Sequence, residues 1–222
     1  MSFLVSKTSE GTYMPTVAGF TLIVAVMLGS ILLGNWLFNK KKGLNAKQIA
    51  FSSMALALAT VASFIKFTKL PMGGSVTLFS MLFVVLIGYW FGLSTGIAAA
   101  ISYGLLQLVI DPYIISFPQM ITDYVLAFGA LGLSGLFHGK KHGLVKGYIV
   151  GVLGRYFFAF LSGWIFFGSY ASQMGYKTAY GYSLAYNGTY IIPEAALTAV
   201  ILLVPAVQKG FATVKQMAVG EA

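Results

Sequence analysis

The chain has 222 residues, of which 58% are hydrophobic and 9% charged, with 14 Lys plus Arg against 5 Asp plus Glu and no cysteine. Soluble domains carry charge on about a quarter of their residues, so this composition excludes an ordinary soluble fold and makes the chain an integral membrane protein. The net charge of +9 sits in short clusters between apolar spans, which orients helices in a bilayer and argues against nucleic-acid binding. The missing cysteines exclude disulfides, thiolate metal sites and cysteine nucleophiles.

Seven hydrophobic segments follow in chain order: Pro15–Phe38, Lys47–Ile65, Val76–Phe91, Thr95–Ile110, Pro118–Phe137, Val145–Phe167 and Thr189–Val207. Lipid offers a backbone amide no partner, and these runs are too long and too evenly apolar for barrel strands, so each is predicted to be a helix. The first run exceeds a signal-peptide core, lacks a small-residue cleavage site and ends on Lys40-Lys41-Lys42. It is therefore read as a retained helix. The basic linker Asn39–Ala46 then divides the chain into residues 1–46, an extra N-terminal helix, and residues 47–222, a six-helix unit. The third and fourth segments are short and meet at the uncharged Gly92-Leu93-Ser94, which predicts a helical hairpin.

Lysines set the expected orientation. With seven spans, Lys40, Lys41, Lys42, Lys47, Lys140, Lys141, Lys146, Lys209 and Lys215 fall on one side, against Lys7, Lys66, Lys69 and Lys177 on the other. The richer side is cytoplasmic by the positive-inside rule, so the N-terminus is expected outside and the C-terminus inside. His138 and His142 share one lysine-rich loop with no acidic neighbour and read as solvated residues, not metal ligands.

The remaining ionisable residues carry the functional reading. Asp111 closes the fourth span beside Pro112 and reads as a turn. Glu194 follows Pro193 near the expected start of the last span, where a carboxylate suits a helix N-terminus. Asp123 and Arg155 lie inside the fifth and sixth spans, and each would cost about 2.5–3.5 kcal/mol facing lipid at mid-bilayer. Two readings stay open: a salt bridge locking two helices, or a polar pocket open to the outside. Arg155, Ala159, Gly163 and Phe167 recur every four residues and so share one helix face. Gln119 and Asp123 share another, with Tyr124 beside them. The outer loop Gly168–Gly188 adds Tyr170, Tyr176, Tyr180, Tyr182, Tyr186 and Asn187. Aromatic faces around a carboxylate suit a flat organic cation.

Several stretches resemble the thiamine-specific S components of energy-coupling factor (ECF) transporters: Leu70-Pro71-Met72-Gly73-Gly74-Ser75-Val76-Thr77-Leu78, Tyr103-Gly104-Leu105-Leu106-Gln107-Leu108 through Asp111-Pro112-Tyr113, Asp123-Tyr124, Ser162-Gly163-Trp164-Ile165-Phe166-Phe167-Gly168-Ser169-Tyr170, and Tyr182-Ser183-Leu184 with Tyr186-Asn187-Gly188. The resemblance runs from about Lys47 to Val207. It implies an all-α membrane protein, a six-helix S-component core plus the extra N-terminal helix, in the cell membrane. Such a protein is a substrate-binding subunit and not an enzyme; it has no cofactor and takes thiamine as ligand. Its partners would be a transmembrane coupling subunit and two ATPase subunits. The family's binding positions fall on Asp123, Tyr124, Arg155, Ala159, Gly163, Phe167, Tyr182 and Asn187. On this resemblance Asp123 pairs with the cationic or aminopyrimidine part of the vitamin, and Phe167 and Tyr124 stack on its rings. Tyr182 and Asn187 hydrogen-bond its polar edges, while Arg155 orients Asp123 or meets the hydroxyethyl end. The resemblance places partner docking on a small-residue face of the second span, here Ala55 and Ala59 at i, i+4, with Ala46 and Ala50 sharing the spacing and ordinary packing within the chain as the other reading. Where the family commonly has a histidine, this chain has Ala159, so a thiamine precursor, an analogue or another vitamin is the alternative ligand. A stand-alone secondary transporter is the other alternative, but no paired repeats are visible.

The orientation is directly testable. Labels placed at Ser2 and Ala222 should react from opposite sides of the membrane, and reaction of both from the same side would contradict seven spans.

Overall fold

The computed structural model describes residues 3–8, 12–38 and 46–220, with backbone only for 27, 28 and 30–38. Glu10, Lys40–Lys42, Glu221 and the two chain ends expected on opposite sides lie outside the described residues. A short antiparallel hairpin of β1 (Val5–Lys7) and β2 (Tyr13–Pro15) leads into α1 (Val17–Phe38). After α2 (Ala46–Phe64) a second hairpin, β3 (Lys66–Lys69) with β4 (Ser75–Thr77), precedes α3 (Ser80–Phe91) and α4 (Leu93–Ile110). Then come α5 (Phe117–Phe137), α6 (Gly143–Phe166), the single turn α7 (Tyr170–Gln173), α8 (Ala179–Leu203) and α9 (Pro205–Val219). The fold is all-α, with strands confined to the two hairpins among the described residues.

Helices α2, α4, α5 and α6 are long and apolar enough to cross a membrane, and the bent pair α8–α9 supplies a further candidate. An exposed apolar belt matches that role: Met54, Leu58 and Val61 on α2, Leu153 and Phe157 on α6, Val200 and Leu203 on α8. Helix α3 is only 12 residues long and largely buried. It packs on α2, α4, α5 and α6 as an internal post. Glycines make this crowding possible: a Cβ on Gly96 would lie 2.7 Å from the Gly88 Cα and 2.9 Å from the Gly132 carbonyl oxygen. The expected α3–α4 hairpin is present, turning at Gly92 with φ +88.

Three expectations are corrected. The third span begins at Ser80, because Ser75–Thr77 pairs with Lys66–Lys69 as a strand. The last helix begins at Ala179, ten residues before the expected Thr189, capped by Thr178 Oγ1 accepting from the Gly181 amide. It ends at Leu203, where Pro205 opens α9 at an 87° bend. The first ten residues of α8 are rich in Tyr, Asn and Gly, so they read as loop, but their polarity comes from facing a cavity. The third correction concerns the small-residue face of α2. Ala55 and Ala59 are 2% and 0% exposed, and the Ala59 carbonyl accepts from the Tyr103 hydroxyl at 3.2 Å. They pack inward within this chain and present no open docking face.

Glu194 does sit at a helix N-terminus, but that of α3 and not its own. Its Oε2 accepts from the Thr77 amide (3.3 Å) and hydroxyl (2.6 Å), and its Oε1 from the Ser80 hydroxyl (3.1 Å) and Met81 amide (3.0 Å). The first amides of α3 lack intrahelical acceptors; a buried carboxylate from α8 takes the Met81 amide, and the Phe79 carbonyl takes those of Leu82 and Phe83. Glu194→Ala should destabilise the protein by roughly 3 kcal/mol, because buried donors lose a charged acceptor. An unchanged unfolding temperature in detergent would show that the cap is dispensable.

Candidate functional site

The two ends of the bundle differ. At one end, the lysine-bearing 138–146 loop and α9 meet the C-terminus of α3: His138 Nδ1 lies 3.0 Å from the Tyr89 carbonyl oxygen, and Lys215 lies 4.3 Å over the Tyr89 ring. At the other end the β3–β4 hairpin, residues 111–116 and α7 surround the mouth of a cavity walled by α4, α5, α6 and α8.

The mouth is tied by identifiable bonds. Asp111 ends α4 and pairs with Lys66 at 2.7 Å and Lys69 at 3.2 Å. Burial would raise its carboxyl, but the two lysines outweigh that and hold it below the ordinary carboxylate range. The hairpin tie is thus intact at neutral pH and is lost only as pH falls through that lowered value. Tyr124 donates to the Asp111 carbonyl (3.0 Å) and accepts from the Tyr113 amide (2.8 Å), fixing the loop above the cavity. Tyr113 stacks on Phe167, centroids 6.0 Å apart. The turn Pro71–Gly73 hangs from α8: the Tyr182 hydroxyl donates to Met72 Sδ at 2.9 Å, and the Tyr186 hydroxyl donates to the Pro71 carbonyl. Met72 holds φ +63, a left-handed backbone uncommon for a residue other than glycine.

All eight residues singled out as ligand-binding border this one cavity. The structure brings Asp123 and Arg155 to the same cavity without joining them. Asp123 takes its hydrogen bond from Gln119 Nε2 at 2.6 Å, and no ion pair links it to Arg155 among the described residues. Gln119, itself 1% exposed, also donates to the Tyr113 carbonyl and accepts from the Ile115 amide. It therefore orients Asp123 and the mouth loop together. Asp123 lies within Ile121–Leu126, where α5 widens to i→i+5 hydrogen bonding, a local irregularity frequent at functional sites. The Arg155 guanidinium lies 4.1 Å over the Phe128 ring. Its Nη1 is buried without a hydrogen-bond partner among the described residues, so it remains available to a guest in the cavity, while the Ser162 hydroxyl stands beside Asp123.

Gly163 and Asn187 serve packing as well as lining. Asn187 Nδ2 donates across the α6–α8 interface to the Ala159 carbonyl at 3.1 Å. A Cβ on Gly163 would sit 2.3 Å from Ser183 Oγ and 3.0 Å from Asn187 Nδ2, so only glycine lets these helices approach. Phe128, Tyr113 and Tyr190 also line the cavity and were not picked from sequence. Phe128 stands five residues from Asp123, a spacing that the widened turn brings into use. Trp164, 47% exposed and stacked on Phe160 at 5.8 Å, lies outside the cavity lining, as do Tyr170, Tyr176 and Tyr180, whereas Tyr182 and Tyr186 line it.

Residues 49–212 match the model of the family described as thiamine transporter protein (Thia_YuaJ). The thiamine transporter ThiT of Bacillus subtilis (strain 168) is 32% identical over 169 residues, covering 70% of this chain and 86% of its own. The solved structure of ThiT from Listeria monocytogenes is similar in fold, with a TM-score of 0.64 and 23% identity over 77% of this chain and 96% of that one.

The α6–α8 contact generates a prediction. Gly163→Ala should cost about 1–3 kcal/mol through overpacking and weaken ligand binding, measured by thermal unfolding and by titration. A variant of wild-type stability and affinity would show that α6 and α8 separate freely here.

Proposed function

The chain belongs to the thiamine transporter protein family, and from that membership we propose that it is the thiamine-binding S component of an ECF-type importer. It is a multi-pass membrane transport protein and not an enzyme. The observation that carries the ligand reading is the cavity itself. A half-buried carboxylate, two aromatic walls and a guanidinium nitrogen without a hydrogen-bond partner among the described residues converge there, the chemistry a flat cation with a polar tail requires. Asp123 pairs with the cationic or aminopyrimidine part, and Phe167 and Tyr124 pack on the rings. Tyr182 and Asn187 border the polar edges. Arg155, with a donor to spare, meets the hydroxyethyl end instead of neutralising Asp123.

In this proposal residues 47–222 form the S-component core, a division supported by a family match that begins at residue 49. Residues 1–46 are an accessory segment, an extra helix and a basic linker; its helix α1 lies on α4, and the Tyr13 amide donates to the Ile114 carbonyl of the mouth loop at 2.6 Å. The mouth faces outside and the lysine-rich end faces the cytoplasm, as the charge bias suggests. The coupling subunit and two ATPases dock on the outward face of α2, where Ala46, Ala50, Ser53 and Ala57 are exposed at helical spacing and permit close helix approach.

Purified protein should bind thiamine without ATP and in preference to riboflavin. Asp123→Ala should weaken thiamine by about 1.5–3 kcal/mol, the worth of a hydrogen bond to a charged group. Ala159 faces the cavity, so Ala159→His should tighten thiamine by about 0.5–1.5 kcal/mol through ring stacking. Retained affinity in Asp123→Ala would contradict the cation site. Tighter binding of a thiamine precursor than of thiamine would move the assignment to that ligand.

A further inference from the structure

We propose that Tyr13, in the N-terminal segment outside the family match, is a positioning residue whose backbone amide holds the loop 111–116 over the cavity and slows the ligand's escape. The inference rests on the thiamine reading and adds to it a part that residues 49–212 do not contain.

The loop is tied on both edges. Toward α5, the Tyr113 amide donates to the Tyr124 hydroxyl at 2.8 Å, and the Tyr113 carbonyl accepts from Gln119 Nε2 at 3.1 Å. The Ile115 amide donates to Gln119 Oε1 at 3.0 Å. In extended backbone, neighbouring residues turn their polar groups to opposite edges, so Ile114 faces away from these partners. Its carbonyl accepts from the Tyr13 amide at 2.6 Å, forming an antiparallel bridge. The Ile114 side chain is buried with Leu105, Leu108 and Tyr124, and Tyr13 packs against that cluster.

The N-terminal hairpin has its own anchorage. Tyr13 stands opposite Lys7 across β1 and β2, and the Thr8 amide closes the hairpin on the Thr12 carbonyl at 2.8 Å. The Thr16 amide donates to the Leu4 carbonyl at 3.0 Å and its hydroxyl to the Phe3 carbonyl at 2.8 Å, fastening the hairpin to the start of α1. Helix α1 in turn lies along α4, the helix that leads into the loop. The Tyr13 amide is therefore a donor fixed to the scaffold. Next to Ile114, Tyr113 lines the cavity and stacks on Phe167. A ligand leaving by the mouth must displace that ring, and the loop carrying it is pinned at Ile114.

The test follows release of radiolabelled thiamine from the purified full chain after unlabelled thiamine is added in excess. Tyr13→Ala removes the ring and keeps the backbone donor, whereas Tyr13→Pro removes both. The Tyr13 amide is spent on Ile114, so proline takes no bond from the hairpin. Tyr13→Pro should release thiamine about two- to tenfold faster than Tyr13→Ala, the loss of one net hydrogen bond. The unfolding temperatures of the two ligand-free variants should agree. Equal release rates, or a lower unfolding temperature with an unchanged rate, would overturn the role of Tyr13 and leave the thiamine reading intact. If Tyr13→Pro folds poorly, hydrogen–deuterium exchange on the wild type decides. Saturating thiamine should slow exchange in residues 12–16, and exchange there unchanged by bound thiamine overturns the inference. Absence of thiamine binding by the wild type overturns that reading, and this inference with it.

Discussion

A polar group withdrawn from water into a lipid-embedded bundle must find its partner inside the protein. Glu194 is where the fold depends on this most. One carboxylate from the middle of α8 gathers the end of the β3–β4 hairpin and the first turn of α3, more than a hundred residues earlier in the chain. That bond sets where α3 begins and holds the hairpin beside α8. From the same helix, Tyr182 and Tyr186 reach the Pro71–Gly73 turn. The cavity wall and the cavity mouth are therefore parts of one hydrogen-bonded assembly.

The same constraint separates structure from function among the buried polar groups. Gln119, Asn187, Ser183 and Glu194 are satisfied by protein partners and organise the wall. Arg155 Nη1, on the cavity wall, is not satisfied among the described residues. Leaving a donor unpaired in this setting is costly, and a ligand with acceptors at that end would remove the cost. Asp123 accepts from Gln119, and a carboxylate has acceptor capacity beyond one such bond.

Sequence showed the parts of this that lipid makes expensive. Long apolar runs marked the helices, and Asp123 and Arg155 stood out because a charge inside a span needs a reason. The four-residue repeat Arg155, Ala159, Gly163, Phe167 marked a face correctly, since helical periodicity depends only on spacing. It could not say which way a face points: Ala55 and Ala59 share the same spacing and turn inward, whereas Ala46, Ala50 and Ala57 are exposed. The start of α8 was hidden because its first turns are polar for the cavity's sake. The partners of Glu194 were hidden because they depend on tertiary contacts that no local pattern encodes.

In the proposed function one ligand, held in the α4–α5–α6–α8 cavity, touches the mouth and the α8 wall at once. Hydrogen–deuterium exchange of the purified protein, with and without saturating thiamine, tests it most directly. The account predicts slowed exchange in two separate stretches, residues 70–77 and residues 179–194, with little change in α9. Thiamine binding that leaves both stretches unprotected, or that protects α9 instead, would contradict it.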